Sequence, residues 1–137
     1  MDQLKPNPSS IQLVAQVYRS GVPGTRVLLA EDDEDLRELF EDALEQAGFS
    51  VLSVAGGKQA LAAFSSASIG SLPPPDCIVM DIRMPGYSGL ELLMALELAE
   101  WKVPVILVTG FGDEETHAKA EAYGCFAILD KPVTPNL

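Results

Sequence analysis

Four apolar residues with no polar break, Cys77-Ile78-Val79-Met80, run directly into the carboxylate of Asp81 and then into Arg83-Met84-Pro85-Gly86. A run without alternation is the pattern of a strand buried on both faces of a parallel sheet, although a buried helical segment has the same periodicity. The proline and glycine end it, so Asp81 is predicted at a strand's C-terminal tip. Beyond such tips lies the crevice in which open parallel α/β sheets bind their ligands. Taken alone, Asp81 reads first as a strand-end residue capping a loop. Its neighbours in the pattern decide how it is read.

The same pattern recurs along the chain. Val27-Leu28-Leu29-Ala30 ends in the acidic cluster Glu31-Asp32-Asp33-Glu34-Asp35, and residues 49–54 form a second candidate strand. Residues 104–108 end in Thr109-Gly110, and Phe126-Ala127-Ile128-Leu129 ends in Asp130-Lys131-Pro132. Between the runs lie helical spacings. Leu36, Leu39, Phe40, Ala43, Leu44 and Ala47 precede Gly48, residues 57–64 carry Ala60, Leu61 and Phe64, and residues 113–123 stop at Gly124. Ser88 and Glu91 have capping-box spacing at the head of a helix with Leu90, Leu93, Met94 and Glu97 on its face. Residues 65–75 read as a flexible loop with a stiff Pro-Pro-Pro end, opposite the tips. Strands alternating with helices predict one parallel sheet covered on both faces, with right-handed crossovers placing all the tips on one edge. Glu31, Asp32, Asp81, Thr109 and Lys131 then share that edge. Asp33, Glu34 and Asp35 are explained as charge at a helix N-terminus, which leaves Glu31 and Asp32 for another task.

Composition narrows the function. Nine basic against twenty acidic residues give a formal charge of −11, which argues against direct nucleic-acid binding by this segment. No apolar run has the length of a membrane span and residues 1–10 lack the order of a signal peptide, so no membrane association and a cytoplasmic location are expected. Cys77 and Cys125, without metal-ligand spacing, are read as small core residues. Trp101 is expected to pack, and the single histidine, His117, to be a solvated helix residue away from the tips. Carboxylates gathered together repel unless a cation sits among them, and an all-oxygen set suits Mg²⁺. With a hydroxyl and a lysine on the opposite rim, the edge could accept a phosphoryl group on Asp81.

VLLAEDD, CIVMDIRMPGYSG, VILVTGFGD and FAILDKPV, in this order, resemble the receiver domains of two-component response regulators over about residues 25–135. Each motif alone is weak. Four of them at successive strand ends are specific. The resemblance implies a flavodoxin-like five-stranded parallel sheet of order 2-1-3-4-5 with helices on both faces. It assigns Asp81 as phosphoacceptor, Thr109 as switch hydroxyl, Lys131 as the ammonium that pairs with the phosphoryl group and Gly110 as the backbone amide meeting a phosphoryl oxygen. Glu31, Asp32, Asp81 and the carbonyl of Arg83 become the Mg²⁺ ligands, and Lys131-Pro132 a cis peptide. A histidine kinase or histidine phosphotransfer protein would be the donor, and phosphorylation would switch a partner-binding surface. The alternatives are an aspartyl-nucleophile phosphatase, which generally carries a second Asp where Arg83 stands, and an interaction domain independent of phosphorylation.

This sequence departs from the family pattern in three places. Ile128 occupies the usual aromatic switch position. Arg83 and Phe111 flank the expected water path, hinting at a long-lived phosphoaspartate. The family's final covering helix is missing from the pattern, so the expected organisation is an extension over residues 1–24 and a receiver over residues 25–137 shortened at its C-terminal end. The extension is either a linker or a short amphipathic helix, with Ser9 and Gln12 at capping-box spacing and Ile11, Val14, Ala15 and Tyr18 on one face. Residues 9–19, or a second copy of the chain in a homodimer, would then shield the apolar surface that the missing helix leaves.

Overall fold

In the computed structural model of the chain, residues 25–110 and 114–130 are described. They form β1 (Arg26–Ala30), α1 (Glu34–Gln46), β2 (Ser50–Val54), α2 (Gly57–Ser68), β3 (Cys77–Asp81), α3 (Gly89–Leu98), β4 (Val105–Thr109), α4 (Glu114–Ala122) and β5 (Ala127–Asp130). The five strands pair in parallel in the order β2-β1-β3-β4-β5, the flavodoxin-like arrangement expected from the sequence. The predicted N-terminal segment, Phe111 and the Lys131-Pro132 peptide lie outside the described residues.

The central strands, β3 and β4, are buried at every position. Their side chains divide by parity between two cores. Ile78, Met80, Val105 and Leu107 join residues of α2, α3 and α4 on one side, while Cys77, Val79, Ile106 and Val108 join Phe40 and Leu44 of α1 on the other. This two-sided burial is why the apolar runs show no alternation. The α2 helix extends to Ser68, beyond the predicted stop at Phe64, and takes in the first residues of the predicted loop. Trp101 packs edge-on against Phe64 with ring centroids 5.8 Å apart, as a packing residue should.

Two helical faces differ from expectation. Leu39 is 56% exposed and Met94 39% exposed, whereas Leu92, Leu93 and Leu96 bury the inner face of α3. In α1 the buried stripe runs through Phe40 and Leu44, which puts Leu39 at its margin. In α3 the sequence GLELLMALEL is apolar almost all round, so its spacing alone does not select a face.

Both cysteines are free. Burial pushes the Cys77 thiol up to about 12 and raises that of the half-buried Cys125 as well. Because the thiolate is the nucleophile, iodoacetamide at about pH 8 should modify Cys125 first and leave Cys77 untouched in the folded chain. Peptide mapping of the alkylated protein checks this order, and equal labelling of the two would contradict the buried position of Cys77.

Candidate functional site

Three carboxylates meet at the C-terminal edge of the sheet. Glu31, Asp32 and Asp81 each bring an oxygen within 4.8 Å of the others. Asp81 ends β3 and is 3% exposed, Glu31 immediately follows β1 and is 2% exposed, and Asp32 faces solvent. The parallel register of β1 with β3, Ala30 beside Met80, sets the two strand ends level, so residues fifty positions apart become neighbours.

Local hydrogen bonds hold the cluster in shape. The Arg83 backbone N–H donates to Asp81 Oδ1 at 3.0 Å, fixing one carboxylate oxygen against the turn that follows β3. Glu31 Oε2 accepts the Asp33 N–H at 3.1 Å, and the Arg37 guanidinium donates to the Glu31 carbonyl at 2.9 Å. Asp33 itself is the N-cap of α1, accepting the Leu36 N–H at 3.1 Å, and Glu34 and Asp35 fill the first turn. Helix capping therefore accounts for the later part of the acidic run, and Glu31 and Asp32 are the members that turn to Asp81.

The turn after β3 is held by close backbone packing. Gly86 adopts φ +86°, a left-handed conformation that glycine reaches without strain. The Gly57 N–H donates to the Pro85 carbonyl and the Gly89 N–H to the Ile82 carbonyl, at 3.3 and 2.8 Å. Ser88 caps α3 with both bonds of the capping box: its Oγ accepts the Glu91 N–H and Glu91 Oε1 accepts the Ser88 N–H.

On the other side of Asp81, β4 places Thr109 at its tip, 1% exposed, one position beyond Val108, the register partner of Asp81. Gly110 follows at the surface, and Thr109 is level with Asp130 of β5. Lys131 lies outside the described residues. Ile128 is half-buried against the core. Arg83 is exposed.

The structure corrects the expectation for His117. Its Nε2 lies 3.2 Å from Asp130 Oδ1, tying α4 to the C-terminal end of β5, so it stands near the tips and has a partner. The separation of thirteen residues follows neither helical nor strand spacing, and no sequence signal announced the pair. Gly57 and Gly89, whose lack of a side chain permits the close packing around the β3 turn, were also missed as site-supporting residues. The serine and glycine ending the PGYSG stretch were the available sign.

The donor set fits a hard divalent cation. It consists of carboxylates without imidazole or thiolate, and its partial opening to solvent at Asp32 leaves room for the waters that Mg²⁺ retains.

Comparison with known proteins agrees with this geometry. Residues 27–137 match the family described as response regulator receiver domain. The C4-dicarboxylate transport transcriptional regulatory protein DctD of Rhizobium meliloti strain 1021 is 39% identical over 106 residues, covering 77% of this chain and 22% of DctD. The transcriptional regulatory protein FixJ of Bradyrhizobium diazoefficiens is 31% identical over 106 residues, covering 77% of this chain and 49% of FixJ. The chain thus spans about a fifth of the first of these relatives and about half of the second. Among solved structures, the receiver domain of the Francisella response regulator 1452 aligns with a TM-score of 0.73 at 26% identity, covering 82% of this chain and 88% of that one. The chemotaxis response regulator CheY4 of Vibrio cholerae gives 0.72 at 27% identity, covering 82% and 90%.

Proposed function

Because the chain belongs to the response regulator receiver family, we propose that it accepts a phosphoryl group from a phosphohistidine onto Asp81 and thereby changes a surface that partners bind. Such a domain is a signalling module and not a classical enzyme. The observation that supports the reading most is the convergence of Glu31, Asp32 and Asp81 within 4.8 Å at the sheet edge where ligands of this fold bind.

Those three carboxylates, with the carbonyl of Arg83, would hold Mg²⁺. The chemistry the ion supplies when bound is neutralisation of carboxylate and phosphoryl charge. The chain's own residues do the rest. The Arg83 N–H engages one oxygen of Asp81, which orients the carboxylate so that its other oxygen attacks phosphorus. The new O–P bond forms as the P–N bond of phosphohistidine breaks, and the electron pair returns to the imidazole nitrogen. The Thr109 hydroxyl, the Gly110 N–H and the Lys131 ammonium take the phosphoryl oxygens, so positioning and charge provide most of the acceleration. A histidine kinase or a histidine phosphotransfer protein is the donor.

The phosphoryl group biases an existing equilibrium of the loops after β4 and β5. With Ile128 in place of an aromatic ring, the response passes through movement of those loops and not through a ring exchanging between buried and exposed positions.

Intact-mass measurement after incubation with a small acyl phosphate and Mg²⁺ tests this function. One phosphoryl group per chain is expected, with uptake slowed on the order of a hundredfold or more by a chelator. Uptake that ignores the chelator, or repeated turnover of a phosphomonoester, would rule it out.

A further inference from the structure

Where α2 crosses the edge strand of the sheet, the two do not close on each other. Val51 packs in the α1 core and Ser53 Oγ donates to Glu41 Oε1 of α1 at 2.8 Å, so strand alternation turns Ser50 and Leu52 to the α2 side. Leu28 of β1 belongs to the α2 core, which puts Arg26 on that side as well. The register pairs Leu28 with Leu52 and Arg26 with Ser50. Above these pairs α2 offers only the methyl groups of Ala63 and Ala67 beside Phe64, and Leu52 stays 46% exposed. What remains is a cavity of about 200 Å³ between α2, the first residues of β1 and β2, and the loop at Leu72 and Pro73. Arg26 and Ser50 open their strands and Asp81 ends β3, so the cavity lies at the edge of the sheet opposite the carboxylates.

Size and rim define what such a space can take. An apolar cavity of about 150 Å³ takes up benzene, so one of about 200 Å³ has room for a phenyl ring and about two further carbons. The interior is apolar and the rim is not. Arg26 is exposed there, and among the described residues no side chain pairs with its guanidinium. Its backbone is fixed on both sides by Asp76, whose Oδ2 accepts the Arg26 N–H at 2.8 Å and whose N–H donates to the Arg26 carbonyl at 2.8 Å. A guanidinium so placed beside an apolar opening suits a planar anionic group, which it can grip with two N–H donors.

We propose that this cavity binds a small carboxylate with an apolar body, of the phenylalkanoate type, its ring against Leu28, Leu52 and Ala63 and its carboxylate on Arg26. A neutral hydrocarbon leaves the guanidinium unused. An amino acid or a sugar phosphate would carry polar groups into an interior that has nothing to pair with them. The strands and α2 belong to the folded core, so most of the site exists before a ligand arrives. The helix that roofs it begins at the turn after β3, where the Gly57 N–H donates to the Pro85 carbonyl. The domain then has two separate inputs, a phosphoryl group at one edge of the sheet and a carboxylate at the other.

Titration of the full chain, labelled at its leucine methyl groups, with hydrocinnamate provides the test. Saturable shifts at Leu28, Leu52 and Leu72 are expected by about 10 mM. No shift by that concentration, or shifts centred elsewhere in the domain, would overturn the assignment. Hydrocinnamide, which has the same body without the charge, should bind about tenfold more weakly, and Arg26→Gln should lower the affinity for hydrocinnamate to that of the amide. Equal binding of acid and amide by the parent overturns the choice of a carboxylate. Ala63→Leu puts a side chain where the ring would sit, and should weaken binding about tenfold or more without lowering Tm. Unchanged affinity in that variant would take the ligand out of the cavity, and should it fail to fold, the shifts in the unaltered chain and the Arg26→Gln comparison still decide. Asp81→Asn should bind hydrocinnamate as the parent does, which keeps this result apart from the phosphoryl chemistry. Loss of binding there would move the ligand to the other edge and overturn the inference.

Discussion

Asp81→Asn will leave the chain folded and unable to take up a phosphoryl group. Asparagine keeps the size of the side chain and an Oδ1 able to accept the Arg83 N–H now bonded at 3.0 Å, so the turn after β3 retains its anchor. The lost property is the anionic oxygen that must attack phosphorus, for which an amide is no substitute. Thermal unfolding should therefore move by no more than about 1 kcal/mol while phosphoryl uptake in the intact-mass assay falls to background. Mg²⁺ adds a second readout on the same pair of proteins. An ion bound only to the folded parent contributes about 1.4 kcal/mol at ten times its Kd, raising its unfolding midpoint. The variant has lost one of three carboxylates within 4.8 Å and should gain markedly less. Persistence of the added mass in Asp81→Asn would move the acceptor to another residue. An equal response of both proteins to Mg²⁺ would detach Asp81 from the ion.

The features legible in the sequence share a physical cause. Strands buried on both faces declare themselves because every position must be apolar, as at Ile78, Val79, Ile106 and Leu107, and the polar residue ending each run marks the sheet edge. The clustering of Glu31, Asp32 and Asp81 followed from strand order, since parallel connections send all the tips the same way. What stayed hidden depends on how elements meet. Met94 and Leu96 look equivalent in a helix that is apolar all round, and only the placement of α3 against the sheet separates them. The His117 to Asp130 pair depends on where α4 lies relative to the end of β5. The glycines around the β3 turn are a third case, because the requirement there is for space and a sequence does not display the atom that would fill it.

Gly89→Ala makes that requirement measurable. Gly89 opens α3 directly after the Ser88 cap, a position where alanine in an exposed helix would be favoured by about 1 kcal/mol. Here the added Cβ would stand 2.6 Å from the Asp81 carbonyl oxygen and 3.0 Å from Ile82 Cα, both backbone atoms of the strand end that carries the phosphoacceptor. Neither can rotate away as a side-chain end would, so α3 and the end of β3 must separate and the 2.8 Å bond from the Gly89 N–H to the Ile82 carbonyl is disturbed. Overpacking of this kind costs about 1–3 kcal/mol, and contact with backbone places it at the upper end, outweighing the helix preference. The net loss should be about 2 kcal/mol, a fall of roughly 6–10 °C in Tm for a domain of this size. Gly57, whose Cβ would overlap the Tyr87 backbone, should behave the same way. Gly70→Ala separates steric contact from conformational preference: its φ is +83° with nothing within 4 Å of the added atom, so only the left-handed backbone penalty of about 1–2 kcal/mol applies. Phosphoryl uptake adds a functional readout, since displacing the Asp81 backbone should slow Gly89→Ala on the order of tenfold or more, while Gly70→Ala keeps the parent rate. A Gly89→Ala protein as stable and as fast as the parent would mean that α3 is not docked against the strand end, and with it would go the account of how Asp81 is held.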